Sequence, residues 1–337
     1  MSYRVLSKYR PELMGAAMLW VMLFHARDLD FGILSLNLIR SAGFGGVDIF
    51  IMLSAVGLVM SLSAREQEFS QFMKRRAVRI LPAYYVVMLA YTLFSILRGN
   101  APVSALVWNS TLLAYWVHAK GAFNWYVSGI MLFYALTPFC FRHLKRSRHR
   151  ELCTASGMVL GLLCCRIMIG DGYWDYLDVF YRVPVFLMGL LLGFYVQEER
   201  RLSGRDILFW AVCVAAGAAY IPISLRSSVE TVYFPMCHLF LFTTIPICLT
   251  GCWCFEHLPL GWLRKFLRLV GENSLEIYLL NVSFFSETAL LQQYIGFRPR
   301  RWLYYLITFT LNIALGLLLH RLVEGGVTAV RVQRAAE

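Results

Sequence analysis

Two ionisable residues stand out because they interrupt apolar stretches: His25 at the end of the first and Asp48 near the start of the second. A charged side chain such as Asp or Arg within a membrane span costs about 2.5–3.5 kcal/mol on insertion scales, so each such residue asks for a reason. A neutral imidazole accepts a proton from a hydroxyl near neutral pH, as a general base must. The alternative for His25 is a packing histidine bonded to a neighbouring helix. Asp48 sits in Gly45-Gly46-Val47-Asp48-Ile49-Phe50. If the first two helices are antiparallel neighbours, it reaches the depth of His25, where a carboxylate accepting an imidazole N–H fixes the tautomer. The alternative is a helix N-terminal charge favoured by the macrodipole. Gly43, Gly45 and Gly46 suggest close approach of backbone to a helix or ligand.

A second kind of chemistry belongs to the cations between Phe72 and Pro82: Lys74, Arg75, Arg76 and Arg79. Arg76 and Arg79 are three apart and share a helix face, and guanidinium forks suit phosphate. Simple anchoring of a span at the cytoplasmic surface accounts for the same charges. Farther along, Arg166 and Arg182 lie in or at apolar runs, with Asp171, Asp175 and Asp178 between them. They form either a polar cavity or local ion pairs. Ser274, Glu276, Tyr278 and Asn281 polarise another apolar run, with Ser274 and Tyr278 on one face. Polar helix–helix contacts explain these equally well.

The elements that must position these residues follow from composition. Of 337 residues, 59% are hydrophobic and 15% charged, and the mean hydropathy is +0.59. That lies outside the range of soluble domains and identifies an integral membrane protein. A spanning helix needs about 20 apolar residues, which leaves room for about ten spans and no separate soluble catalytic domain. Val185 to Val196 is apolar throughout, so the alternation of a membrane β-strand is absent and the spans are helices. The expected fold is therefore all-α, a polytopic bundle forming a single integral-membrane domain over residues 1–337.

The candidate spans are 11–27, 44–63, 80–97, 122–141, 152–170, 179–197, 207–223, 235–255, 272–290 and 302–323. With both termini cytoplasmic, most Lys and Arg fall in inside segments, such as Arg142 to Arg150, and few fall outside. The net charge of +12 is thereby explained by topology rather than by nucleic-acid binding. His25 lies 15 residues after Arg10, about 22 Å along a helix, which places it toward the outer side. Segment 103–118 is apolar, but a full span there would put Arg142 to Arg150 outside. It is read as a re-entrant or interfacial piece that lines a cavity. The nine cysteines lie mostly in apolar runs, and Cys252 and Cys254 read as buried small hydrophobes rather than metal ligands. Neither zinc nor a disulfide framework is expected, and the first span is read as retained rather than cleaved as a signal peptide.

Six motifs in order resemble the acyltransferase-3 family of bacterial membrane O-acyltransferases. They are Gly15-Ala16-Ala17 leading to Leu23-Phe24-His25; Gly46-Val47-Asp48-Ile49-Phe50 followed by Ser54; Arg75-Arg76-x-x-Arg79-Ile80-Leu81-Pro82; Trp125-Tyr126 with Tyr134 and Pro138; Arg182-x-Pro184-x-Phe186-x-x-Gly189; and Ser274-Leu275-x-Ile277-Tyr278. Three positions depart from the family pattern. Met14 stands where an arginine is common, Ala55 where glycine often follows the serine, and Asn281 where many members have a second histidine.

The resemblance implies transfer of a short acyl group, typically acetyl, from cytosolic acyl-CoA to a hydroxyl of an extracytoplasmic carbohydrate or envelope component, at the bacterial cytoplasmic (inner) membrane. In that reading His25 is the general base, Asp48 orients it, and Arg75, Arg76 and Arg79 hold the donor's phosphates. Ser54, Trp125, Tyr126, Arg182 and Tyr278 line the passage or the acceptor pocket. Acyl-CoA, with acetyl-CoA as the expected form, is the donor substrate; no tightly bound cofactor and no metal are expected. The remaining partners are the acceptor and membrane lipids, with oligomeric state open. The competing class is a transporter of a small solute or amino acid, which internal duplication would favour. The sequence contains no evident internal repeat.

Overall fold

A computed structural model describes residues 1–65, 67–226, 237–285 and 301–336. The chain is all-α, a polytopic helical bundle; among the described residues the β-structure consists of a single antiparallel bridge between Ser2 and Arg201. The helices are α1 (Val5–Lys8), α2 (Arg10–Phe24), α3 (Leu34–Ser41), α4 (Gly45–Ala64), α5 (Phe69–Leu97), α6 (Ala105–Ser110), α7 (Trp125–Arg146), α8 (Arg150–Gly170), α9 (Leu177–Phe180), α10 (Val183–Gln197), α11 (Gly204–Arg226), α12 (Cys237–His257), α13 (Gly261–Glu272), α14 (Ser274–Leu280) and α15 (Arg301–Ala336). A π-helical turn, Asn281–Phe285, continues α14.

Eight of the described helical segments are long and apolar enough to cross a membrane. Every expected span falls on a helix. The 11–27 and 272–290 spans correspond to shorter pieces, the 15-residue α2 and the apolar stretch Ser274–Phe285. Positions 235–236 and 286–290 of the expected spans lie outside the described residues. Segment 103–118 is no span: it holds the six-residue α6, then turns in which Leu112 and His118 take positive φ.

The chain folds into two compact units. The first comprises Met1–Met14, Val47–Phe69 and Gly129–Lys265. Its centre is the packing of α4 on α10, both largely buried. Gly189 and Gly193 of α10 create that close approach, because a Cβ at Gly189 would stand 2.7 Å from the Met52 carbonyl oxygen and one at Gly193 would stand 2.6 Å from Val59 Cβ. Glycines four apart let two backbones approach where lipid supplies no hydrophobic drive, so dispersion and close packing must hold the helices. By contrast α8 and α11 turn Leu160, Leu163, Ile167, Leu208, Phe209 and Val212 outward. That exposure suits hydrocarbon and would be costly in water.

The second unit comprises Gly15–Gly46, Ser70–Ser128 and Phe266–Glu337. Here Gly46 packs on the Ala17 carbonyl and Gly43 on that of Trp20, the close backbone approach expected of these glycines. Ala26, Leu29 and Tyr305 form a small core where the end of α2 meets the start of α15. The α6 loop is organised by Asn109, which is 1% exposed. Its Nδ2 donates to Thr92 Oγ1 at 3.2 Å and to the Gly121 carbonyl at 3.0 Å, and its Oδ1 accepts from the Phe123 N–H at 2.9 Å. Tyr84 and Tyr85 donate to the carbonyls of Asn109 and Ser110. Irregular backbone packed inside a membrane protein needs protein partners for its polar groups, and these bonds supply several of them.

Candidate active site

His25 is the first residue past the last turn of α2 and is half-buried. The Val21 carbonyl accepts twice from it, from the backbone N–H at 3.1 Å and from ring Nδ1 at 3.0 Å. A carbonyl oxygen has no proton to give, so Nδ1 must carry the hydrogen. In the neutral ring Nε2 is then left with its lone pair, which is the form of a base. That contact fixes the tautomer within α2's own last turn. The Asn281 carboxamide faces the same ring.

Other expected residues of the second unit divide into an aromatic group and a cationic group. Tyr126 packs edge-on against Tyr278 with ring centroids 4.9 Å apart, and Trp125 against Tyr126 at 5.9 Å. Tyr278 is buried on α14. On α5 Arg75 and Arg79 are exposed and one turn apart, while Arg76 is half-buried with its guanidinium 5.3 Å from the Phe72 ring centroid. Lys74 is exposed beside them.

In the first unit Asp48 and Arg182 come together. Both are almost fully buried, at 1% and 2% exposure, and Arg182 Nε stands 3.6 Å from Asp48 Oδ2. Arg182 also donates to the Asp178 carbonyl, lies 3.9 Å from its carboxylate, and covers the Tyr181 ring at 4.8 Å. A buried guanidinium needs such partners, since an isolated charge there would be expensive. Ser54 is buried on α4, one residue before Ala55, which packs against Gly189. Arg166, set against Arg182 in the sequence as either cavity lining or ion pair, lines a cavity of about 310 Å³ with Tyr181, Tyr220 and His238 among apolar neighbours. Arg182 is thus in an ion pair, while the cavity that Arg166 lines is apolar rather than the polar one the sequence suggested.

Several polar residues of the second unit carry more than their sequence context announced. Glu276, 5% exposed, accepts from His320 Nδ1 at 3.0 Å, and Glu324 lies 3.3 Å from His320 Nε2. Asn281 and Asn312 are both fully buried. Asn312 interrupts the apolar run Leu303 to Leu319, and that interruption was the available signal. Asn109 likewise sits in the apolar 103–118 segment. Among the described residues no group of three or more His, Cys, Asp or Glu stands close enough to hold a metal ion.

An acyltransferase-domain family model matches residues 15–321, nearly the whole chain, including His25, the α5 arginines, Arg182 and Tyr278. No curated protein and no solved structure matches the sequence. A multi-pass helical fold and a family match of this extent lead to one assignment: the chain belongs to the acyltransferase-3 family of membrane acyltransferases.

Proposed function

We propose that this protein transfers a short acyl group, acetyl in the simplest case, from cytosolic acyl-CoA to a hydroxyl of an extracytoplasmic carbohydrate or envelope component, in the bacterial inner membrane. The observation that carries the reading is the His25 tautomer: Nδ1 is committed to the Val21 carbonyl and Nε2 is left basic. In the reaction Nε2 takes the proton of the acceptor hydroxyl as its oxygen attacks the thioester carbonyl. The C–S bond then breaks, and the imidazolium returns the proton to the departing CoA thiolate. No proton is gained or lost overall.

Arg75 and Arg79, exposed and one turn apart on α5, suit the phosphates of the donor, with Arg76 beside them. They belong to the same compact unit as His25. The rings of Trp125, Tyr126 and Tyr278 offer flat apolar faces for the pantetheine arm or the sugar. Asp48 enters this reading as the counter-charge of Arg182.

The test uses the purified full chain in sealed vesicles with acetyl-CoA on one side and a hydroxylated glycan on the other. CoA release coupled to acetylation of the glycan is expected, with His25→Ala abolishing both while acetyl-CoA binding persists. Solute movement that survives His25→Ala, without acyl transfer by the wild type, would establish a carrier instead. Mass spectrometry of envelope glycans from cells with and without the protein would identify the acceptor and acyl group.

A further inference from the structure

Asn281 and Asn312 are each 0% exposed, and neither the oxygen nor the nitrogen of either carboxamide has a hydrogen-bond partner in good geometry among the described residues. Four buried amide atoms left unpaired in two side chains are expensive, and a leucine at either position would avoid the cost. The helix register brings the two together. α14 packs antiparallel to α15, with Glu276 bonded to His320 and the Gly316 backbone against Ile277. One turn farther along α14 and one turn back along α15, the same register sets Asn281 opposite Asn312. Asn281 also faces the His25 ring and opens the π-helical turn Asn281–Phe285. Such turns recur at functional sites because the widened backbone re-aims side chains.

We propose that Asn281 and Asn312 are the hydrogen-bond donors that stabilise the oxyanion formed when the acceptor oxygen attacks the acyl thioester. The inference rests on the acyl-transfer reading and names two further residues for the same site. As the acceptor oxygen bonds to the thioester carbon, the carbonyl π electrons move onto its oxygen. The carboxamide N–H groups, which have no acceptor in good hydrogen-bonding geometry before the reaction, donate to that oxygen. Collapse re-forms the C=O bond, expels the CoA thiolate, and lets the His25 imidazolium protonate it. Donors buried away from water stabilise such a charge strongly because nothing must be reoriented when it appears. His25 faces the first donor, so proton removal and oxyanion stabilisation fall on neighbouring groups.

The experiment compares wild type with Asn281→Leu, Asn312→Leu and the isosteric Asn281→Asp in the full chain, using acetyl-CoA and a hydroxylated acceptor. Three readouts are taken: kcat, the Kd for acetyl-CoA and the melting temperature. Each leucine variant is expected to lose about 100-fold in kcat, keep acetyl-CoA binding within about twofold, and melt at or above the wild-type temperature. Asn281→Asp replaces a donor with an acceptor and is expected to lose at least as much kcat. Activity within about threefold of wild type in both leucine variants overturns the proposal. So does a lower melting temperature or failure to fold, which would show that the carboxamides are structural, bonded to each other or through water. A wild-type protein that transfers no acyl group would instead remove the underlying reading, so the two failures are told apart.

Discussion

Two buried polar pairs, one in each compact unit, are built in different ways. In the first, Asp48 and Arg182 face one another as opposite charges, with Arg182 Nε 3.6 Å from Asp48 Oδ2 and neither atom hydrogen-bonded, and the guanidinium is further held by the Asp178 carbonyl and the Tyr181 ring. In the second, Asn281 and Asn312 are buried as deeply, their carboxamides carry no opposite charge, and Asn281 faces the ring of His25. In the proposed reading the contrast separates polar groups that hold a fold from those kept for a reacting molecule. A paired buried charge already has its partner, and removing that partner exposes the cost. An unpaired buried amide costs stability in the resting protein, which a substrate offsets during turnover.

Substituting one member of the pair should therefore act on stability first. Arg182→Met leaves the Asp48 carboxylate buried without its counter-charge and is expected to destabilise the protein by about 3–5 kcal/mol. Thermal melting in detergent or nanodiscs checks this, and adding Asp48→Asn should restore much of the loss. If Arg182→Met leaves melting unchanged and reduces only turnover, the first unit's pair belongs with the reacting groups and the contrast collapses. Next in size, Asn109→Ala leaves the Phe123 N–H and the α6 turns without their hub. It is expected to cost about 1–3 kcal/mol in melting, because Asn109, unlike Asn281, has its bonds made.

Gly189→Val, read by the same melts, forces α10 away from the Met52 carbonyl and Ala55 and is expected to cost about 1–3 kcal/mol. The smallest effect expected is on donor binding. Arg79→Gln should weaken acetyl-CoA binding about tenfold, about 1.4 kcal/mol, with melting unchanged because the side chain is exposed. Measuring that affinity at two salt concentrations sharpens the point, since a phosphate contact weakens as salt rises.

How far the sequence reaches shows in particular residues. Apolar runs bounded by charge located the helices, because length and hydropathy alone govern insertion. Charge bookkeeping kept 103–118 from being a span, and the structure finds only α6 there. Glycine spacing around Gly43 and Gly46 announced close backbone contact. What the chain order concealed is which distant helices meet. Asp48 and Arg182 are separated by several helices, so chain order does not announce that the carboxylate faces a guanidinium on the turn before α10. Likewise Asn281 and Asn312 become a pair only through the register of α14 on α15, and the His25 tautomer is set by a backbone carbonyl that sequence cannot orient. Residue type marked these sites; tertiary register assigned their partners.

The central claim is that His25 Nε2 acts as the base, and the pH dependence of acyl transfer tests it most directly. A base must be unprotonated, so wild-type kcat/KM should fall about tenfold per pH unit below the inflection of that group, while His25→Ala should be about 10³-fold slower and lack the inflection. Transfer by His25→Ala at the wild-type rate, with the same inflection, would contradict the account.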